Sequence, residues 1–137
     1  MAVDFHDAHR RHWDDGNRLF EAERWANADH LYGLAAECGL KWLMVKFGMQ
    51  VESGGDPVED KDWVHANKVW KRYETYRRGR YGGAEYVLPS VNPFENWNVN
   101  QRYDLQGQFD RHRVEPHRQG ANVVCNLVRD VEMDGLT

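Results

Sequence analysis

A chain of 137 residues has the usual size of one domain and is too short for two full cores, so residues 1–137 read as a single unit. With 41% hydrophobic, 29% charged and 12% aromatic residues, including six Trp and six Tyr, the composition excludes a disordered chain. A formal charge of −4 excludes a protein that wraps nucleic acid over its whole surface, though a local basic face is compatible with it.

Residues 3 to 23 carry a weak amphipathic pattern through Phe5, Ala8, Trp13, Leu19, Phe20 and Ala22, interrupted at Asp15-Gly16-Asn17 by a kink or a break. From about residue 26 to 47, Ala28, Leu31, Ala35, Cys38, Trp42 and Val45 recur at steps of three and four, which is one face of a long helix. Leu34, Leu40 and Leu43 widen that face, so several neighbours must cover this helix, and Gly48 is placed to end it. Ser53-Gly54-Gly55-Asp56-Pro57 is turn chemistry, and Pro57 suits the entry to a third helix over roughly 58 to 78, with Trp63, Ala66, Trp70, Tyr73 and Arg77 on one face.

Gly79, Gly82, Gly83, Pro89 and Pro93 break up residues 79 to 100, whose aromatics predict a long ordered loop packed over the core. The last helix runs from about 114 to 133. Pro116 is tolerable only in a first turn, which puts its start near 113 to 115. Tyr86-Val87-Leu88 is the only β-like run and is too short for a sheet. Four amphipathic helices bury their stripes against one another, so the expected fold is an all-α four-helix bundle with a long ordered loop before the last helix. Cys38 and Cys125 sit among apolar residues in helical patterns and read as reduced core thiols, hence a cytoplasmic protein. No run of eighteen apolar residues and no basic-then-apolar start occurs, so neither membrane spanning nor export is expected.

Within the second helix, Ala35, Glu37 and Lys41 form an Ala-x-Glu-x-x-x-Lys arrangement, and the run from Trp25 to Lys41 resembles the second helix of HEPN domains. Asn100-Gln101-Arg102-Tyr103-Asp104 resembles the Arg-Tyr segment before the last helix of that superfamily, in the expected order. The resemblance implies a HEPN-like bundle, a homodimer, and a ribonuclease site of an Arg, four to six residues and a His, contributed by two protomers. Arg111-His112-Arg113-Val114-Glu115-Pro116-His117 matches that spacing at the entry to the last helix. In this reading His117 is general acid or base and Arg111 holds the scissile phosphate, with no cofactor or metal required. The other reading of His117 is a helix-start residue packed beside Val114 and Ala121. Arg24 and His30 share the spacing, but lack a polar residue after the arginine and straddle a helix start.

Glu37 and Lys41, at i and i+4, form a favourable intrahelical pair; alternatively Glu37 reaches Arg102 across the bundle and fixes the loop before the last helix. Lys68, Lys71, Arg72, Arg77, Arg78 and Arg80 interleave with Trp70, Tyr73, Tyr76 and Tyr81. That pattern suits a single-stranded RNA surface, or a solvated helix end, with Trp70 and Tyr73 on the core stripe. His6, His9 and His12 are spaced for one helix face but drift around it, so a solvated helix is preferred over a metal site. Trp97 in Asn92-Pro93-Phe94-Glu95-Asn96-Trp97 clamps the bundle or lines a pocket. Two functions follow. The first is a HEPN-like domain that binds RNA or cleaves it without metal; the second is a non-catalytic module taking a protein partner or small ligand through residues 79 to 100.

Overall fold

The computed structural model describes residues 2–79 and 83–135. Four α-helices, α1 (Phe5–Glu21), α2 (Trp25–Lys46), α3 (Ala66–Arg78) and α4 (Arg111–Met133), are joined by stretches holding short 3-10 turns. Among the described residues there is no strand, only an isolated bridge between Val51 and Pro57, so the fold is the all-α helical bundle expected. No described helix is long and apolar enough to cross a membrane.

The most apolar helix, α2, occupies the centre and packs against α1, α3 and α4. Its small residues set how closely the others approach. At Gly39 an added Cβ would fall 2.5 Å from Val124 of α4 and 2.6 Å from the His9 ring of α1, so glycine is what lets both helices close on α2 here. Gly16 plays the same part from the other side. It lies inside an unbroken α1, and a Cβ there would meet the Tyr32 ring at 3.2 Å. The predicted kink or break is therefore a close-approach position. Gly48, at φ +111°, turns the chain out of α2 in the left-handed region that favours glycine.

The third helix starts eight residues later than its sequence pattern suggests, at Ala66 and not near 58. The intervening polar groups have better partners elsewhere. The Trp63 indole donates to the Pro57 carbonyl (2.9 Å), and Asp62, in a 3-10 turn, sinks inward to accept from Arg72 (2.7 Å) and Tyr76 (2.5 Å). Side-chain bonds of this kind compete with a helical ladder. Ala66, Trp70, Tyr73 and Arg77 do form the buried face, while Trp63 stays 57% exposed.

Helix α4 starts at Arg111, capped by the Asp110 carboxylate, which accepts from the Arg113 amide at 2.8 Å. Pro116 thus lies beyond the first turn, where it forfeits the bond to the His112 carbonyl, and its ring faces solvent. Residues 83 to 100 are the expected cover: Tyr86, Leu88, Phe94 and Trp97 are buried in the same core as the helices. Tyr73 donates to the Tyr86 carbonyl (2.6 Å) and Trp70 to the Pro89 carbonyl (3.0 Å), so α3 carries this segment by its aromatic hydroxyl and indole.

Candidate functional site

Asp29, on the first turns of α2, is fully buried and holds three elements together. One carboxylate oxygen accepts from His117 Nδ1 of α4 (2.5 Å), the other from Gln101 Nε2 (2.5 Å), and its carbonyl accepts from the Trp97 indole (3.0 Å). The far nitrogen of His117, Nε2, meets the side-chain amide of Asn96 at 2.7 Å, and its ring stacks on Phe94. Both nitrogens of His117 are occupied and the residue is 1% exposed. Arg111 lies elsewhere: it is exposed, with its guanidinium over the Phe20 ring at 5.3 Å. Six positions apart on a helix, the two side chains diverge by about 120°. Within this chain they do not share a cleft, and His117 takes a core position beside Val114 and Ala121 with a buried acid as partner.

Glu37 does not meet Arg102. Its two oxygens accept from Lys41 Nζ of the same helix (3.2 Å) and from His65 Nδ1 at the start of α3 (2.9 Å). Glu37 and Lys41 are both buried, and the ammonium lies 5.9 Å from the Phe5 ring centre. Arg102 is exposed, stacked on Tyr103 and reaching no further than the Val99 carbonyl. Burial pushes His12 and His30, which feel the Glu37 charge, below their ordinary value.

The basic stretch divides into two sets. Arg72 is committed to Asp62, with Glu59 at 3.7 Å, and the buried Arg77 to Glu74 (2.5 Å) and the Gly83 carbonyl. Trp70 and Tyr73 are core residues, and Tyr76 donates to Asp62. Lys68, Lys71 and Arg78 are exposed on one side of α3; Arg78 keeps only a loose approach to Glu74 at 3.7 Å. Arg80 and Tyr81 lie outside the described residues. Beside the exposed cations runs a groove of about 760 Å³ between α3 and residues 87 to 95, walled by Val87, Leu88 and Pro89. Four cationic side chains and two carboxylates line it, against a chain that is acidic as a whole. A second hollow, of about 230 Å³, continues past Asn67 and Lys68 to Trp63, His65, Asn98 and Asn100.

The three N-terminal histidines face different ways. His6 pairs with Glu132, His9 donates from Nδ1 to the Ala35 carbonyl (2.7 Å), and His12 is half-buried near Glu37. Among the described residues no group of three or more His, Cys, Asp or Glu is arranged to hold a metal ion. Cys38 and Cys125 are both free thiols, pushed by burial up to about 12. Trp97 is the clamp and not a pocket wall, since its indole lies over Gly33.

Asp29, Asn96 and Gln101, which fix His117, carry no short-range sequence signal beyond an acid on an apolar helix. His65 was hidden because the pattern placed it inside a helix rather than at its start. These observations define an all-α helical protein with a cation-edged groove along α3. Comparison with protein-family models, curated proteins and solved structures gives no match.

Proposed function

We propose that this chain is a HEPN-like domain that binds single-stranded RNA along the exposed side of α3. The observation that supports it is the row of Lys68, Lys71 and Arg78 beside the groove, in a chain of net charge −4. Lys68 and Lys71 are one helical turn apart and Arg78 lies two turns further on, and cations spaced this way neutralise phosphates along the roughly 20 Å of track that α3, at thirteen residues, offers. Trp63, 57% exposed at the upstream end, provides a ring on which an unpaired base stacks. Arg72 and Arg77 act through their carboxylate partners by holding α3 in place. A cytoplasmic setting, with both thiols reduced, and the homodimer implied by the resemblance belong to the same reading, the dimer being measurable by sedimentation.

Fluorescence anisotropy with a labelled RNA of about twelve nucleotides tests it. Wild type binds, and Lys68→Glu combined with Lys71→Glu weakens binding at least about tenfold. Absence of binding, or binding indifferent to that double variant, refutes the proposal. A second reading has its own observation. Val87 and Val91 are 57% and 75% exposed on the cover segment, and the groove volume falls in the ~300–1,000 Å³ range of ligand sites. A protein partner or small ligand bound there is the reading left standing if RNA binding fails.

A further inference from the structure

Away from α3, a cleft of about 280 Å³ lies between α1 and α4. His9 lines it, although the residue is only 3% exposed. The Ala35 carbonyl only accepts, so Nδ1 of His9 is the donor in their 2.7 Å contact, and the neutral ring carries its lone pair on Nε2. Burial lowers His9 below its ordinary value, which keeps the ring in that neutral form. The Nδ1–Cε1 edge of the ring is the one against α2, since a Cβ on Gly39 would fall 2.6 Å from Nδ1 and 2.9 Å from Cε1. The opposite edge, which carries Nε2, is therefore turned to the cleft. Among the described residues Nε2 has no hydrogen-bond partner, and it is not sealed off from solvent. A polar atom of so buried a side chain is normally paired, so this cleft calls for a ligand that brings a donor.

Charges of both signs edge the same cleft, Arg10 and Asp14 from α1 and Arg129 and Glu132 from α4. Glu132 is taken by His6. Among the described residues Arg10, Asp14 and Arg129 are in no ion pair, and Arg129 reaches only the Asn126 side chain at 3.2 Å. Unpaired guanidiniums at a surface are ordinary by themselves; here they surround a buried acceptor. We propose that the α1–α4 cleft binds a free α-amino acid, its ammonium donating to His9 Nε2 and its carboxylate held by the Arg10 and Arg129 guanidiniums at the rim. Two basic and two acidic side chains line the cleft, and this balance favours a zwitterion over a plain anion. Asp14 offsets the charge of the ammonium. Guanidinium forks match a carboxylate in shape as well as charge. Trp13 and the buried Val128 supply the apolar part of the lining, which suits an amino acid with an apolar side chain. The volume, about 280 Å³, lies just under the ~300–1,000 Å³ of sites for drug-sized ligands, as a molecule this small requires. None of these residues belongs to the α3 face, so the site stands independently of RNA binding.

Isothermal titration calorimetry of the full chain with each of the common L-amino acids in turn tests this. The tightest binder is then compared with the matching amine, which lacks the carboxylate, and the matching acid, which lacks the ammonium. An apolar amino acid is expected to bind with a Kd of about 1 mM or tighter, and both analogues at least about tenfold more weakly. His9→Asn keeps a donor for the Ala35 carbonyl and takes Nε2 out of the cleft. Arg129→Gln removes a guanidinium from an exposed position and leaves the fold alone. Each is expected to weaken binding at least about tenfold, and Arg129→Gln decides alone should His9→Asn fail to fold. If no amino acid binds at that level, the proposal is overturned and Nε2 is served by water. Analogues that bind as tightly as the amino acid, or wild-type affinity in Arg129→Gln, also overturn it.

Discussion

Asp29 is the residue on which the cover segment depends, because one buried side chain serves α4 through His117 and the cover through Gln101, while its carbonyl receives Trp97. Removing one member of a buried charged set leaves the others without partners, at a cost of about 3–5 kcal/mol. Asp29→Ala is expected to lose that much in urea unfolding, a large share of the roughly 5–15 kcal/mol that holds a domain folded; a loss under about 1 kcal/mol would show that the segment is held by its apolar contacts alone. His9 makes a prediction in pH. Burial lowers it below its ordinary value of 6.5, and burial likewise lowers His12 and His30. Below 6.5 the unfolded chain therefore takes up protons that the folded chain refuses. Stability is full above that pH and falls as pH drops through it toward the folded values, with a slope of at most about 1.4 kcal/mol per pH unit for each proton. His9→Asn keeps a donor for the Ala35 carbonyl and removes one such proton. Its midpoint should fall less steeply than wild type between about pH 7 and about pH 5.5, and an unchanged slope would count against His9.

At the scale of elements, glycines inside helices decide how the pieces meet. Gly33 on α2 faces Trp97, and a Cβ there would lie 2.0 Å from the indole ring. Backbone-held α2 cannot yield, so Gly33→Ala is expected to push Trp97 and the cover segment off the bundle, with a loss of about 1–3 kcal/mol and a red shift in Trp emission. If melting and emission stay as in wild type, Trp97 has room the geometry denies. The same scale explains the late start of α3. Trp63 continues the helical stripe of Ala66, Trp70 and Tyr73 in sequence, so periodicity counts it in. Asp62, Arg72 and Tyr76 then build a polar knot that only the folded chain brings together, and the turn at Asp60–Asp62 replaces a helical turn.

For the whole molecule the unequal distribution of charge matters more than its total. Helix α3 sends its cations two ways, Arg72 and Arg77 inward to carboxylates and Lys68, Lys71 and Arg78 outward. On single-stranded RNA each neutralised phosphate contributes about 0.7 to the slope of log affinity against log salt. The Lys68→Glu, Lys71→Glu variant should therefore flatten that slope by at least about 1.4 units. An equal slope in variant and wild type would mean that these lysines do not touch the phosphates.

Periodicity and turn chemistry alone determined the helical class, the extent of α2 and the exit at Gly48. Each of these depends on residues within a turn or two of one another, where side-chain spacing is set by the backbone itself. Only the tertiary structure decided which polar groups meet. Asp29 and His117 are 88 positions apart, Glu37 and His65 are 28 apart, and no local spacing encodes either meeting. A buried acid in a sequence announces that it needs a partner, because desolvation makes an unpaired charge costly. Which partner it finds is settled by packing, and here packing turned His117 inward and left His65 facing solvent.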